Sequence, residues 1–356
     1  MRARKILLAA MAVAAAVGIV LRPEELSGAV RESVSGCLEV VIPALFAFTV
    51  LSVYLQRSGL YLLAFVPLTK PLSVILRLPG ELCAVFLLAN IGGYPVGAKL
   101  LSELVRARRL SRRDAGRMLC CCYGSGPSFV IGTAGMVVFG SAAVGGVIYG
   151  ACFLSSLVIA VVVCRTGERI TLTSGEAHTD LGVECFVRSV DSGARVMYTV
   201  CIMAAAFAAV TALLECSGVT GLIEKLLRAA GLGGNSGRVF PALLEVTRVR
   251  DLVPAVGAVP LCAAALSFGG VCVIMQAAAV SGGVVPIRGL LISRIPAALM
   301  SALFSLPAEL LTDNSEAVWA NAYSAEPFTM NAGLSVCVLV MAGMLILSMG
   351  GIQENE

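Results

Sequence analysis

The chain has 356 residues, of which 58% are hydrophobic and only 13% charged, and its mean hydropathy is +0.92. Soluble domains carry about 25% charged residues, so this composition excludes an ordinary cytosolic enzyme, a disordered chain and a small disulfide scaffold. A net charge of +4 with 6% aromatic residues provides no basic, aromatic surface for nucleic acid. The composition predicts an all-α, polytopic membrane protein whose first partner is the lipid bilayer.

Side chains for the familiar kinds of catalysis or metal binding are scarce. The 13 cysteines include no pair with CxxC spacing, and most lie inside apolar runs, where cysteine packs as a small apolar residue. His178 is the single histidine, which excludes a Ser-His-Asp arrangement and a histidine-rich metal site. We therefore expect no enzyme, no metal site and no other cofactor.

The N-terminal region, residues 1–33, is predicted to hold a membrane helix and an outside loop. Three basic residues precede an apolar run at residues 6–21, which fits an uncleaved helix with its basic end in the cytoplasm. A cleaved signal peptide is the alternative, since Ala12-Val13-Ala14 resembles a cleavage site. Residues 22–33 carry three glutamates and two arginines, which places this loop outside.

The next part of the chain alternates between spans and interrupted segments. Residues 34–56 are predicted to cross to the inside, and residues 102–117 carry six arginines against two acidic residues, the strongest cytoplasmic signal in the chain. Two apolar segments, residues 60–78 and 82–105, lie between these two cytoplasmic positions. The chain between them must therefore cross the membrane an even number of times. Proline and glycine interrupt both segments, which favours re-entrant hairpins, with two full spans as the alternative.

The remaining chain completes a topology with both termini in the cytoplasm. Residues 165–193 carry charges of both signs and are predicted to be a cytoplasmic linker, while Arg288 and Arg294 mark a later inside loop. The segment 309–356 holds an acidic outside loop and a last membrane helix. The predicted spans of this part are residues 118–139, 144–164, 194–214, 252–280, 295–306 and 333–349.

Residues 34–164 and residues 194–308 show the same order of features. Each begins with a span, continues through Ser-Gly and two further segments, and ends with a glycine-broken span and a final span. Because the first unit starts outside and the second inside, we expect two inverted-topology repeats, an arrangement typical of secondary transporters. A duplicated membrane scaffold without a transport role is the alternative.

Four breaks in apolar segments are the predicted functional features, at residues 90–95, 124–128, 245–247 and 267–270. Unpaired backbone in hydrocarbon costs several kcal/mol per group, by order of magnitude, so such breaks persist where they line a polar cavity. A helix that restarts there directs N–H groups into the cavity, which suits an anion, although each break taken alone also fits a packing kink. The predicted substrate-binding residues are Asn90, Gly92, Gly93, Tyr94, Pro95, Lys99, Ser125, Gly126, Pro127, Ser128, Glu245, Thr247, Ser267, Gly269, Gly270 and Gln276.

Charged residues near the breaks strengthen this hypothesis. Lys99 follows the first break by four residues, and Glu245 lies in an otherwise apolar stretch. Ionisable groups at membrane depth are costly and serve as default functional candidates. In the alternative interpretation Lys99 reaches the cytoplasmic face, and Arg248, Arg250 and Asp251 sit at a membrane interface.

Four stretches carry a resemblance to a known family: NIGGYPVGAKLL at residues 90–101, YGSGPSFVIGTAGMVVFGS at 123–141, FPALLEVT at 240–247 and LSFGGVCVIMQ at 266–276. With these stretches the chain resembles the nucleoside-recognition (Gate) domain family, and most closely its branch of sporulation integral membrane proteins, the YlbJ type. The pattern GYPxGAK followed by GPxFxxG is the more specific part. One departure is that Arg248-Val249 follows the Glu-x-Thr motif, where many Gate relatives have Asn-Gly.

The resemblance implies a multi-pass protein in the membrane of a spore-forming bacterium, specifically the outer forespore membrane. It implies a transporter-like body that moves dipicolinic acid, a small planar dianion, from the mother cell towards the forespore. Nothing in the chain resembles the GTP-binding portion of the related iron transporters. Two alternatives stay open: a nucleoside transporter or sensor, and a non-transporting factor for spore maturation whose linker at residues 165–195 recruits partners. Self-association or contact with other sporulation membrane proteins is compatible with each of them.

Overall fold

The computed structural model describes residues 2–173, 181–229, 231 and 233–312. These residues form helices joined by short turns, without a β-strand, which confirms the predicted all-α polytopic membrane fold. His178 and the predicted last span at residues 333–349 lie outside the described residues.

The described helices that can cross a membrane by length and composition number four, or five if a pair bent by 108° counts as one span. The eight spans predicted from the sequence exceed this number, partly because two of them correspond to shorter apolar helices, Leu45–Arg57 and Pro127–Val138. The membrane-length helices are Ala142–Arg165, Val183–Cys216, Ala258–Ser281 and Arg288–Glu309, and the bent pair is Val66–Leu76 with Gly80–Gly92.

The first half of the described chain contains ten α-helices. A π-helical segment, Cys37–Val41, joins the second to the third, and another, Val130–Val138, extends the ninth. The helices are α1 (Arg2–Leu21), α2 (Pro23–Gly36), α3 (Ile42–Arg57), α4 (Leu60–Ala64), α5 (Val66–Leu76), α6 (Gly80–Gly92), α7 (Val96–Arg106), α8 (Arg112–Leu119), α9 (Pro127–Phe129) and α10 (Ala142–Arg165).

The second half of the described chain contains six α-helices and two short 3-10 segments, Gly233–Asn235 and Val246–Asp251. The helices are α11 (Val183–Cys216), α12 (Val219–Ala229), α13 (Ser236–Leu244), α14 (Ala258–Phe268), α15 (Gly270–Ser281) and α16 (Arg288–Thr312).

Two predicted loops are helical in the structure. Residues 23–33 belong to α2, because Pro23 sits in the first turn and Glu24 and Glu25 face the positive end of the helix dipole. Residues 183–193, which the sequence assigns to the cytoplasmic linker, form the first part of α11, which begins at Val183.

Helices α6 and α7 form a helical hairpin, here called hairpin 1 (residues 80–106). The chain turns at the predicted break, and α7 returns so close to its neighbours that a Cβ on Gly97 would lie 1.8 Å from the Cys122 carbonyl oxygen. At the open end of the hairpin, Arg109 donates two hydrogen bonds of 2.7 Å to the Glu81 carboxylate. Because Glu81 begins α6 and Arg109 follows α7, both legs of hairpin 1 start and finish at the same end of the molecule.

A second hairpin, hairpin 2 (residues 236–251), consists of α13 and the 3-10 segment after it. Its base is closed by the Asn235 side chain, which donates to the Val253 carbonyl at 3.0 Å and accepts from the Val253 N–H at 2.8 Å. Its tip is Glu245, which has an extended backbone between the two legs. Each half of the chain therefore contains one hairpin whose base is fixed by a specific polar side chain.

Each half also contains a helix that is broken midway. Broken span 1 (residues 112–138) consists of α8, an irregular segment, and α9 with its π-helical extension. Broken span 2 (Ala258–Ser281) consists of α14 and α15, which meet at Gly269 and Gly270. These two glycines have φ values of 81° and 73°, a left-handed conformation that side-chain-bearing residues rarely adopt.

The predicted inside loops lie together at one end of the molecule, here called the arginine-rich end. Arg112 donates to the Gly283 carbonyl at 3.0 Å, and Arg117 donates to the Thr166 carbonyl at 3.0 Å. The base of hairpin 1 belongs to this end because Arg109 lies in the same arginine-rich segment. The base of hairpin 2 belongs to the opposite end, since broken span 2 leads from there to Ser281, next to Gly283.

Candidate functional site

The tip of hairpin 1 packs against the break in broken span 1. A Cβ on Gly93 would lie 2.8 Å from the Gly126 nitrogen, so the two backbones touch with no room for a side chain. The Asn90 amide donates to the Cys121 carbonyl at 3.3 Å, which satisfies a carbonyl freed where α8 ends. Two of the predicted breaks are thus brought into direct contact.

The tip of hairpin 2 packs in the same way against broken span 2. A Cβ on Gly270 would lie 3.1 Å from the Val246 nitrogen, again a contact between two backbones. The Tyr94 hydroxyl, at the tip of hairpin 1, donates to the Leu266 carbonyl of α14 at 2.5 Å. All four predicted breaks therefore meet in one region, and Tyr94 links the first half to the second.

A small cavity lies where the two tips meet the broken helices. Its volume is about 30 Å³, which is room for one or two water molecules. Five predicted substrate-binding residues line it: Tyr94, Gly126, Glu245, Thr247 and Gln276. The other lining residues, which sequence analysis missed, are Cys37, Val41, Leu45, Phe129, Val200, Ala204, Val246 and Val273.

Glu245 is the charged residue of the cavity lining. Its side chain is 6% exposed, and its carboxylate accepts hydrogen bonds from the Thr247 N–H, at 3.1 Å, and from the Thr247 hydroxyl. Among the described residues, the lining contains no Lys, Arg or His. A carboxyl group with so little water and no cation in the described lining is costly to keep, which marks this tip as a functional candidate.

Gln276 provides the amide group of the cavity. It lies on α15 and is buried, and its side-chain nitrogen lies 3.4 Å from the Val200 carbonyl of α11 and 3.3 Å from the Cys272 sulfur. The bond to the Val200 carbonyl is long, and a thiol sulfur is a weak acceptor. The amide can therefore turn towards a solute without a large loss.

Arg294 is a functional candidate that sequence analysis misplaced. It was predicted to mark an inside loop, but it lies within α16 and is only 1% exposed. Its guanidinium donates to the Tyr123 carbonyl at 3.1 Å, to the Ser267 carbonyl at 3.2 Å and to the Cys120 carbonyl. One side chain on α16 thus binds carbonyls from both broken spans.

The position of Arg294 suits the chemistry of the breaks. Helices α8 and α14 end there, so each presents unpaired carbonyls and the negative end of its dipole, which a cation stabilises. The guanidinium also lies 4.8 Å from the centre of the Tyr123 ring, a cation–π contact. The signal in the sequence was a single arginine inside an apolar stretch, which was assigned to a loop instead of a helix interior.

Lys99 lies away from the cavity. Its ammonium pairs with the Glu103 carboxylate at 3.3 Å, and Arg57 pairs with the same carboxylate at 3.2 Å. Because α7 runs from the tip of hairpin 1 towards its base, this group of charges lies on the side of the arginine-rich end. The alternative position considered for Lys99, near the cytoplasmic face, agrees with this placement.

The predicted residues that lie outside the cavity lining shape the breaks. Gly93 and Gly270 give the close backbone contacts described above, and the Ser267 carbonyl is one of the acceptors of Arg294. A Cβ on Gly269 would lie 2.6 Å from the Tyr123 hydroxyl, so this glycine admits the ring between the broken spans. The predicted residues of this group are Asn90, Gly92, Gly93, Pro95, Ser125, Pro127, Ser128, Ser267, Gly269 and Gly270.

The fold and the cavity together define a class of protein: a polytopic α-helical membrane protein whose interior is built from two hairpins and two broken helices. In comparisons with known proteins, no protein-family model and no solved structure matches the chain. The chain is similar to the sporulation integral membrane protein YlbJ of Bacillus subtilis (strain 168), with 28% identity over 151 residues. This match covers 42% of the chain and only 37% of the length of YlbJ.

Proposed function

We propose that this chain is a membrane transporter for a small organic solute and not an enzyme. The observation that carries the proposal is that three of the four backbone breaks line one cavity that contains a carboxylate, an amide and hydroxyl groups, while the fourth break packs against the tip of hairpin 2. In a membrane interior, broken helices are tolerated where they are buried in protein or line a polar path. Discontinuous helices around a central site are the usual construction of secondary transporters.

The arrangement of the hairpins supports two inverted, Gate-like halves. Each half contributes one hairpin and one broken span, and each hairpin tip packs on the broken span of its own half. The base of hairpin 1 lies at the arginine-rich end, and the base of hairpin 2 lies at the opposite end. Two units of the same construction in opposite orientations give the protein one hairpin to open towards each side of the membrane.

A role in sporulation is supported by the similarity to YlbJ. We propose that the chain lies in the outer forespore membrane and moves a small organic anion, with dipicolinate as the first candidate, from the mother cell towards the forespore. The resemblance of the break motifs to the YlbJ-type branch supports this substrate class. The substrate is the part of this proposal that the experiment below tests.

A nucleoside is the second candidate substrate, and the lining of the cavity favours it. Tyr94, Glu245, Thr247 and Gln276 all offer hydrogen bonds, and the described lining contains no cation. An uncharged solute with hydroxyl and amide groups would satisfy such a site, whereas a dianion would meet the Glu245 carboxylate. A nucleoside can therefore use the Glu245 carboxylate as a hydrogen-bond acceptor, whereas a dianion is repelled by it.

Uptake by proteoliposomes that contain only the purified chain tests the proposal. Vesicles are given radiolabelled dipicolinate or radiolabelled uridine, and uptake is compared with that of protein-free vesicles. The proposal predicts uptake of dipicolinate well above the protein-free level. Uptake of uridine alone would select the nucleoside alternative. Uptake of neither would contradict a transport function and favour the spore maturation factor.

A further inference from the structure

A second chamber lies between the cavity and the end opposite the arginine-rich end. This outer chamber has a volume of about 180 Å³. It shares Cys37, Val41, Phe129 and Thr247 with the lining of the small cavity, so the two spaces are neighbours along one path. The remaining lining residues of the outer chamber are Glu32, Ser33, Gly36, Thr133, Val137 and Arg250.

The sizes of the two spaces decide which of them can hold a solute in this conformation. The small cavity, at about 30 Å³, has room for water only. The outer chamber, at about 180 Å³, has room for a small organic molecule. An arriving solute would thus occupy the outer chamber before the hairpins open the path to Glu245.

The charges of the outer chamber come from two different elements. Arg250, on hairpin 2, donates to the Glu32 carboxylate of α2 at 2.8 Å, and it also lies 3.7 Å from the Asp251 carboxylate. Asp251 is paired with Arg248 at 3.2 Å. The Arg250 side chain is 33% exposed and the Glu32 side chain 58%, so this ion pair is in contact with solvent and can open at small cost.

We propose that the outer chamber is a binding site for a small organic anion, in which a carboxylate of the solute replaces Glu32 on Arg250. The inference rests on the proposed transport function and adds to it the group that recognises the anion. Glu32 accepts one hydrogen bond, from Nη2 of Arg250, so a solute carboxylate competes with Glu32 for this donor and can add a second parallel bond. The Thr133 and Thr247 hydroxyls line the same chamber and offer further hydrogen bonds.

This exchange has a consequence for hairpin 2. The pair between Arg250 and Glu32 holds the outer leg of hairpin 2 to α2. A solute that takes the place of Glu32 removes this contact at the moment at which it occupies the chamber. Binding of an anion thus weakens one contact between hairpin 2 and α2 while the solute occupies the chamber.

Equilibrium binding of radiolabelled dipicolinate to the purified full chain tests the inference, because binding requires no flux. Arg250→Gln should weaken binding by about tenfold or more, since a hydrogen-bonded charge partner is lost. Glu32→Gln should tighten binding by about 1.5-fold to 5-fold, since the competing carboxylate is removed. Glu25→Gln is the matched control, because Glu25 lies on the same helix and pairs with Arg22 at 3.0 Å outside the chamber.

The gain of affinity is the decisive result, because a variant that fails to fold cannot bind more tightly. Unchanged or weaker binding by Glu32→Gln would overturn the inference, as would normal binding by Arg250→Gln. Radiolabelled uridine serves as the neutral probe, and its binding should be the same in both variants. Failure of this site is distinguishable from failure of the proposed function. If proteoliposomes that carry Arg250→Gln transport dipicolinate normally, anion binding at Arg250 is refuted while the transport function stands.

Discussion

Replacement of Arg294 by methionine tests how the two broken spans are held together. Methionine is unbranched like the stem of arginine and fits an apolar interior, but it is shorter and cannot donate hydrogen bonds. Three carbonyl oxygens, those of Cys120, Tyr123 and Ser267, lose their donor in Arg294→Met. We therefore expect a less stable protein whose breaks are loosened first.

The magnitude follows from two opposing terms. Each buried carbonyl without a partner costs about 1–3 kcal/mol, which gives roughly 3–9 kcal/mol for three of them. Arg294→Met also avoids the desolvation of a buried guanidinium, which offsets this loss of stability by several kcal/mol, by order of magnitude. The net loss of stability is about 2–4 kcal/mol, or roughly 3–6 °C in Tm for a chain of this length.

The buried cysteines of the chain provide the assay. Most of the described cysteines are buried, including three consecutive ones, Cys120, Cys121 and Cys122, beside the contacts of Arg294. A dye that fluoresces on reaction with thiols therefore reports unfolding of the detergent-solubilised protein during a temperature ramp. Mass spectrometry of the labelled peptides shows whether these three cysteines become accessible before the others.

Arg288→Met is the matched control, because Arg288 is an exposed residue in the first turn of the same helix. It should change Tm by less than about 1 °C, as is typical of surface substitutions. Arg294→Lys should fall between the wild type and Arg294→Met, since an ammonium keeps the charge but lacks the planar fork. If Arg294→Met unfolds at the temperature of the wild type, the assignment of Arg294 as the tie between the broken spans is wrong.

Three further variants test other parts of the account. Gly97→Ala should lower the Tm in the same thiol assay by several °C, because its Cβ would lie 1.8 Å from the Cys122 carbonyl oxygen. Gly146→Ala is the control, since the space around Gly146 is open, and it should leave the Tm unchanged or raise it slightly. Lys99→Met should leave dipicolinate uptake within about twofold of the wild type, because Lys99 pairs with Glu103 and is not among the residues that line the cavity; loss of uptake would return Lys99 to the site. Glu245→Gln should lower uridine uptake by about tenfold or more, because a charged hydrogen-bond acceptor is lost, but should not lower dipicolinate uptake, because the carboxylate opposes a dianion. A tenfold loss of dipicolinate uptake would contradict this reading of the cavity.

The breaks could be predicted from the sequence because their signals are local. Glycine and proline inside an apolar segment, as at Gly93 and Pro95, conflict with a continuous membrane helix wherever the chain folds. The sequence also predicted that the inside loops share one side, since arginines such as Arg112 and Arg117 follow a topological rule that does not depend on packing.

The cavity lining could be predicted only in part, because it depends on which helices pass the hairpin tips. Val200 and Ala204 on α11 and Cys37 before α3 line the cavity as ordinary apolar residues, and no pattern separates them from lipid-facing neighbours. The role of Arg294 was missed for a related reason. A charge near the end of an apolar segment was assigned to a loop, whereas its carbonyl partners come from residues far away in the sequence.

The most direct test of the central claim is to fill the cavity and measure transport. Ala204 is buried and lines the cavity from α11, while Ala206, on the same helix, is exposed. Ala204→Phe adds a ring to a space of about 30 Å³, at an overpacking cost of about 1–3 kcal/mol. The account predicts that proteoliposomes with Ala204→Phe lose dipicolinate uptake, and that those with Ala206→Phe retain it. Uptake at the wild-type rate by Ala204→Phe would contradict transport through this cavity.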